Sequence, residues 1–205
     1  MTVVLLDPRW PMMIPLDAFG PSGKLTGPIS YTEEVPMSVR WHMGDVVEGC
    51  LGRGVLVSTD DTHPDVIDRV NSGERVIEVA SRSDAVAQAR RVMGKAHDIG
   101  EWERSQTHES LVPYLREEAE EAIAAIENNA GDNELVKELG DVLLQVLFHA
   151  EIASRRGAFD LDDVASSFVE KMKKRAPYLF DGTSRVVDID TQNKLWEEAK
   201  ARENA

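Results

Sequence analysis

Two hydrophobic rhythms divide this chain. Up to about residue 80, apolar residues come in short β-branched runs at 3–6, 35–41, 55–58 and 76–80, separated by turn residues, and these predict strands. The segment 64–71 between the last two predicts one helix, and proline and glycine concentrate between residues 8 and 54. From Ser83 the spacing becomes helical. Ser83 is placed to cap a helix over 84–95 with Val86, Ala89 and Val92 or Met93 on one face. Gly94 and Gly100 then mark its frayed end and a loop that holds Trp102.

Beyond that loop the pattern predicts four helices. Thr107 or Ser110 is placed to cap the first, with Pro113 kinking it or sitting in its first turn. The polar run 128–134 is a turn, and a second helix follows over 134–154; its run 142–153 is apolar nearly all round and therefore expected to be buried. Asp160 caps a third that Pro177 ends, and a last helix covers about 190–202. The expected fold is mainly α, an antiparallel helical bundle over 83–205, with a small α/β or β-rich piece over 1–80.

The chemistry concentrates at the first two of these helices. Glu117, Glu118 and Glu121 share one sector of the first, since positions three or four apart lie about 60° or 40° apart around the axis. Glu138 and Asp141 repeat that spacing on the second. Leu111, Leu115, Glu118, Ala122 and Ile126 form one stripe, which puts Glu118 on a face that otherwise reads as core. Carboxylates crowded near a core raise each other's pKa and are costly unless cations neutralise them, so a site for hard divalent ions is expected.

Charge and composition narrow the field. A net charge of -14 over 205 residues repels nucleic acid and anionic membranes. Cys50 is the single cysteine, which excludes an internal disulfide framework and a cysteine-rich zinc site. The opening run is broken by Asp7 and Pro8 and lacks a basic start, and no stretch approaches the roughly eighteen apolar residues that span a bilayer. A soluble cytoplasmic protein is expected. Gly49, Gly52 and Gly54 lead into a strand and read as a turn; Asp60 and Asp61 read as loop acids before Pro64. His149, on the apolar helix, reads as a core histidine, while His108 is either a helix-end hydrogen-bonding group or a substrate contact.

The region from Ser83 onward resembles the MazG-type nucleoside triphosphate pyrophosphohydrolases, an all-α family marked by EExxE followed by ExxD. Here these are Glu117, Glu118 and Glu121, then Glu138 and Asp141, flanked by Gln106 to Leu111 before Pro113 and by Leu139 and Gly140. Lys171, Lys174 and Arg175 before Pro177, with Phe180 after it, are similar to the family's basic segment; Trp196 and Lys200 fall where the family has a tryptophan and a lysine. Three positions depart: Glu101 and Glu103 flank Trp102 where family members often carry Pro-Trp-Asp, and Ala176 stands for the usual histidine.

The resemblance implies magnesium, with manganese as a possible substitute, held by Glu118, Glu121, Glu138 and Asp141. Glu117 would hold a second ion or orient the water. Lys171 and Arg175 would offset phosphate charge, Trp196 would anchor the core or stack on a base, and Lys200 would reach a phosphate. It further implies a homodimer built on a four-helix bundle, and hydrolysis of normal, noncanonical or oxidised triphosphates to monophosphate and pyrophosphate in nucleotide-pool sanitation. A dimeric dUTPase-like enzyme, a phosphoribosyl-ATP pyrophosphohydrolase and a noncatalytic metal-binding helical module remain open.

Overall fold

The computed structural model describes residues 2–19, 25–44, 47–48 and 54–203, so Gly49, Cys50 and Gly52 lie outside the described residues. The chain forms two compact units, Met1–Ala89 and Arg90–Ala205.

In the first unit, strands β1 (Thr2–Leu5), β3 (Ile29–Tyr31), β5 (Val55–Ser58) and β6 (Arg75–Glu78) form a parallel sheet in the order β3-β5-β1-β6. A separate short parallel pair joins β2 (Leu25–Thr26) to β4 (Val47–Glu48). Helix α1 spans Met37–Gly44 and α2 spans Pro64–Asn71. Because successive strand side chains alternate faces, Val4 and Leu6 pack with Val39 and Met43 of α1, while Val3 and Leu5 pack with Val66 of α2. Both faces are covered, which explains why β1 and β5 are continuous apolar runs.

The strand expected over 35–41 is instead the start of α1. Val35, Val39 and Met43 recur every fourth residue and are all buried, and Pro36 sits just before the helix, where its lack of an N–H costs nothing. Gly54 opens β5 where the backbone passes against Pro28: a Cβ there would stand 1.5 Å from the Pro28 carbonyl oxygen. The buried Arg82 guanidinium ties the carboxyl ends of the strands together. It donates to the Leu6 and Thr59 carbonyls at 3.1 and 2.8 Å and pairs with Glu78 and Asp61. Asp60 accepts from the Thr62 N–H and hydroxyl, so both loop acids are structural.

Helix α3 (Ala85–Ile99) carries the chain from one unit to the next. Its cap is Asp84, which accepts from the Ala87 N–H at 2.8 Å, while the expected cap Ser83 bonds back to the Ala80 carbonyl. Gly94 lies inside α3, and Trp102 lies on the short helix α4 (Glu101–Ser105) instead of in a loop. The Trp102 ring meets Tyr114 and Phe148 edge-on at 5.8 and 5.7 Å, an arrangement that seats α4 across the two helices that follow.

Those helices are α5 (Val112–Glu127) and α6 (Asp132–Arg155). Pro113 occupies the first turn of α5, which begins after Leu111 without a side-chain cap, so neither Thr107 nor Ser110 caps it. The turn between the helices has two left-handed residues, Asn129 at φ 51° and Gly131 at φ 90°. Asp160 caps α7 (Leu161–Arg175) in a reciprocal capping box with Asp163, and α8 (Ile189–Glu203) packs on α7. The apolar run 142–153 is buried at Gln145, Leu147, Phe148, Ala150 and Ala153 but leaves Leu143 and Leu144 partly open, and ahead of it Val136 and Leu139 are more than half exposed. Ile123 and Ile126 of α5 are equally exposed, so this hairpin carries an apolar surface that the single chain leaves open.

Candidate metal centre

The α5 and α6 hairpin brings Glu118, Glu138 and Asp141 together, with one carboxylate oxygen of each within 4.8 Å of the others. Glu118 faces Asp141, and Glu121 faces Glu138 one turn on, as antiparallel helices require. Glu138 is 8% exposed, and its Oε2 is buried with no hydrogen-bond partner. Lys137 stands 3.9 Å from its Oε1 but is committed to Glu134 at 3.1 Å.

The electrostatics follow from this crowding. The Glu118 carboxyl is pushed above its ordinary range by burial and then by the charges of Asp141, Glu121 and Glu117. Glu138 is pushed up by burial and then by the neighbouring carboxylates of Glu134 and Glu121. Glu117 contributes charge and stands outside the closest triad. A hard cation fits this donor set: three carboxylates from two rigid elements converge, and one buried oxygen lacks any donor.

The buried polar stripe of α6 extends past the triad. At 100° per residue, Glu138, Gln145 and His149 lie within about 40° of one another around the helix. Gln145 Oε1 and His149 Nε2 are, like Glu138 Oε2, buried without a partner. His149 stacks on His108 at 5.1 Å, with 2.8 Å between their Nδ1 atoms, and Arg156 Nη2 lies 2.9 Å from His108 Nε2. Arginine is only a donor, so His108 accepts at Nε2 and donates from Nδ1; His149 therefore accepts at Nδ1 and keeps its own proton on Nε2. The pairing places both expected histidine sites in one contact. Gln145 escaped the sequence reading because a single glutamine in an apolar run carries no spacing signal.

The basic residues form a second group. At the end of α7, Arg175 Nη2 donates to Glu203 Oε2 at 2.6 Å, and its guanidinium lies 5.1 Å from the Trp196 ring. Lys171 and Lys174 face the same Glu203 carboxylate, and Lys200 pairs with Glu197 at 3.4 Å. Among the described residues, no hydrogen bond or ion pair joins this group to the carboxylates of α5 and α6. No helix among them is long and apolar enough to cross a membrane.

Two family models match the chain: the MazG N-terminal domain over residues 1–77 and the MazG nucleotide pyrophosphohydrolase domain over residues 106–180. The nucleoside triphosphate pyrophosphohydrolase of Mycobacterium tuberculosis is 40% identical over all of this chain, and that of Mycolicibacterium smegmatis is 42% identical over 99% of it. The chain spans 63% of the length of each. The nucleoside triphosphate pyrophosphohydrolase/pyrophosphatase MazG of Thermotoga maritima is 48% identical over half of this chain and 38% of its own length. The second matched segment contains the carboxylates of α5 and α6 and the basic end of α7, the first covers the parallel sheet, and on both counts the chain belongs to the MazG family.

Proposed function

We propose that residues 83–205 hydrolyse nucleoside triphosphates at the α-phosphorus, giving nucleoside monophosphate and pyrophosphate, with magnesium as the ion and manganese as a substitute. The observation that carries this reading is the convergence of Glu118, Glu138 and Asp141 around an unpartnered buried carboxylate oxygen. The family and the names of the full-length relatives point the same way.

Glu118, Glu121, Glu138 and Asp141 would hold the ion, which supplies polarisation of the phosphoryl oxygens and an acidified water. The carboxylates alone would repel a polyanionic substrate, so Lys171 and Arg175 offset phosphate charge, and Lys200 reaches a phosphate once it leaves Glu197. Glu117, at the edge of the triad, orients the attacking water or holds a second ion. Trp196 offers a base the ring face that Arg175 does not cover. The open apolar surface of α5 and α6 is closed by a second copy, making a homodimer with a four-helix bundle at its centre. Noncanonical or oxidised triphosphates in the nucleotide pool are the proposed targets.

Incubation with magnesium and a panel of normal and damaged triphosphates tests the proposal, with products resolved by chromatography. Monophosphate and pyrophosphate in equal amounts, lost in a folded Asp141→Ala variant, support it. Metal-dependent melting without any turnover would leave only a structural metal-binding module.

A further inference from the structure

The cationic end of α7 already holds an anion, and it comes from the chain itself. Arg175 is the most enclosed cation of the group, with a side chain 18% exposed, and its guanidinium is set against Trp196. Its contact with Glu203 at 2.6 Å is a short charge-assisted hydrogen bond. Lys171 and Lys174, one turn and one residue before it, add their fields at the same carboxylate, which is held below the ordinary glutamate range first by the Arg175 hydrogen bond and then by the charges of Arg175, Lys174 and Lys171. All three cations sit in the last turn and a half of α7, where the helix dipole favours positive charge and so keeps them together at some cost in mutual repulsion.

We propose that Glu203 is a built-in competitor for polyphosphate: its carboxylate occupies the phosphate cradle of Lys171, Lys174 and Arg175 and must leave Arg175 before substrate or product can engage it. This rests on the assignment of Lys171 and Arg175 to phosphate binding made above. Two features let the exchange happen. The Glu203 side chain is 32% exposed, at the far end of α8, and an open recess of about 450 Å³ lined by Lys174, Ala199, Arg202 and Glu203 gives it room to move. Arg175 also keeps spare donor capacity, since its Nε is buried without an acceptor. A polyphosphate spreads several charges over all three cations, whereas Glu203 offers one, so the ligand wins at sufficient concentration. The apparent affinity of every ligand that needs Arg175 is lowered by the fraction of molecules in which Glu203 holds it. The same exchange hastens release of pyrophosphate, because the carboxylate returns as the product leaves.

The test compares the full chain with Glu203→Gln and Glu203→Asp in magnesium, measuring binding of inorganic pyrophosphate by calorimetry and triphosphate hydrolysis in parallel. Glu203→Gln is expected to tighten pyrophosphate binding and lower KM by the same factor, on the order of threefold to fivefold, the scale of a partly exposed ion pair. kcat is expected to stay the same or fall, and Glu203→Asp to lie between. Thermal melting of each variant checks that α8 remains in place. Weaker or unchanged pyrophosphate binding in both variants overturns the proposal and makes the contact a pin for α8, as does an absence of pyrophosphate binding in every form. Tightened binding without any triphosphate turnover would sustain the competitor and sink the hydrolase reading; turnover with unmoved affinity would do the reverse.

Discussion

Glu138, proposed above as a metal ligand, is a residue whose charge works against stability. Its carboxyl is held above the usual 4.5 mainly by burial, so its ionised form is disfavoured in the folded chain at neutral pH. Glu138→Gln removes that charge. The variant is expected to melt at a higher temperature than the parent in the absence of metal at pH 7.5, while hydrolysis falls on the order of a hundredfold. A lower melting temperature with full activity would refute the assignment of this residue as a ligand. His149 has the opposite sign. Burial, then the neighbouring His108, holds its pKa below the usual 6.5, so the stability it contributes is present above that value and lost as pH falls through the lowered folded one. Melting temperature followed from pH 8 to pH 5 should therefore drop less in His149→Phe than in the parent; equal slopes would remove the histidine pair as a cause.

The five acids could be read from their spacing, because i, i+3 and i, i+4 positions share a helix face whatever surrounds them. The pairing of His108 with His149 could not, since it joins residues 41 apart and depends on how the turn before α5 sits against α6.

At the scale of elements, the helices of the second unit were legible because proline, glycine and capping residues punctuate a clear helical period. Asp160 and Pro177 bound α7 as expected, and Asp160→Ala should cost about 1 kcal/mol in chemical denaturation, because its Oδ1 accepts from the N–H groups of both Asp162 and Asp163. Helix α1 was misread because β-branched Val35 and Val39 favour a strand locally, while the buried repeat of Val35, Val39 and Met43 decides the matter only when the sheet is there to receive it. Ser83 lost the cap to Asp84 by one residue, an error that side-chain preference alone cannot settle, since both residue types are strong caps. Gly54 belongs to this scale too. An alanine would drive its Cβ into the Pro28 carbonyl, so Gly54→Ala is expected to destabilise the sheet unit by several kcal/mol, as overpacking against fixed backbone does. Retention of the parent melting profile by this variant would show that the approach of the two backbones is looser than described.

The whole molecule is a strongly acidic chain with an acid cluster of its own, and its metal dependence should follow from that. Glu118 and Glu138 both have raised values, so their contribution favours the fold below about 4.5 and is lost as pH rises through the folded values. Added magnesium or manganese is therefore expected to raise the melting temperature most near pH 8, with the increment shrinking towards pH 4.5; an increment independent of pH would mean that the ions act elsewhere. The open face that includes Ile123, Ile126, Val136 and Leu139 leads to a second expectation at this scale. Sedimentation should give twice the monomer mass, and Val136→Lys should weaken the association; a monomer at micromolar concentration would leave that face unexplained.

The lock on the histidine pair has a spectroscopic outcome. Arg156 dictates, through two rings, which nitrogen of His149 bears hydrogen, and that nitrogen is shut away from bulk solvent. Its resonance should survive in spectra where surface imidazole protons vanish by rapid exchange, and its decay in deuterated buffer would time how often the turn that carries His108 lifts from the long helix beside it.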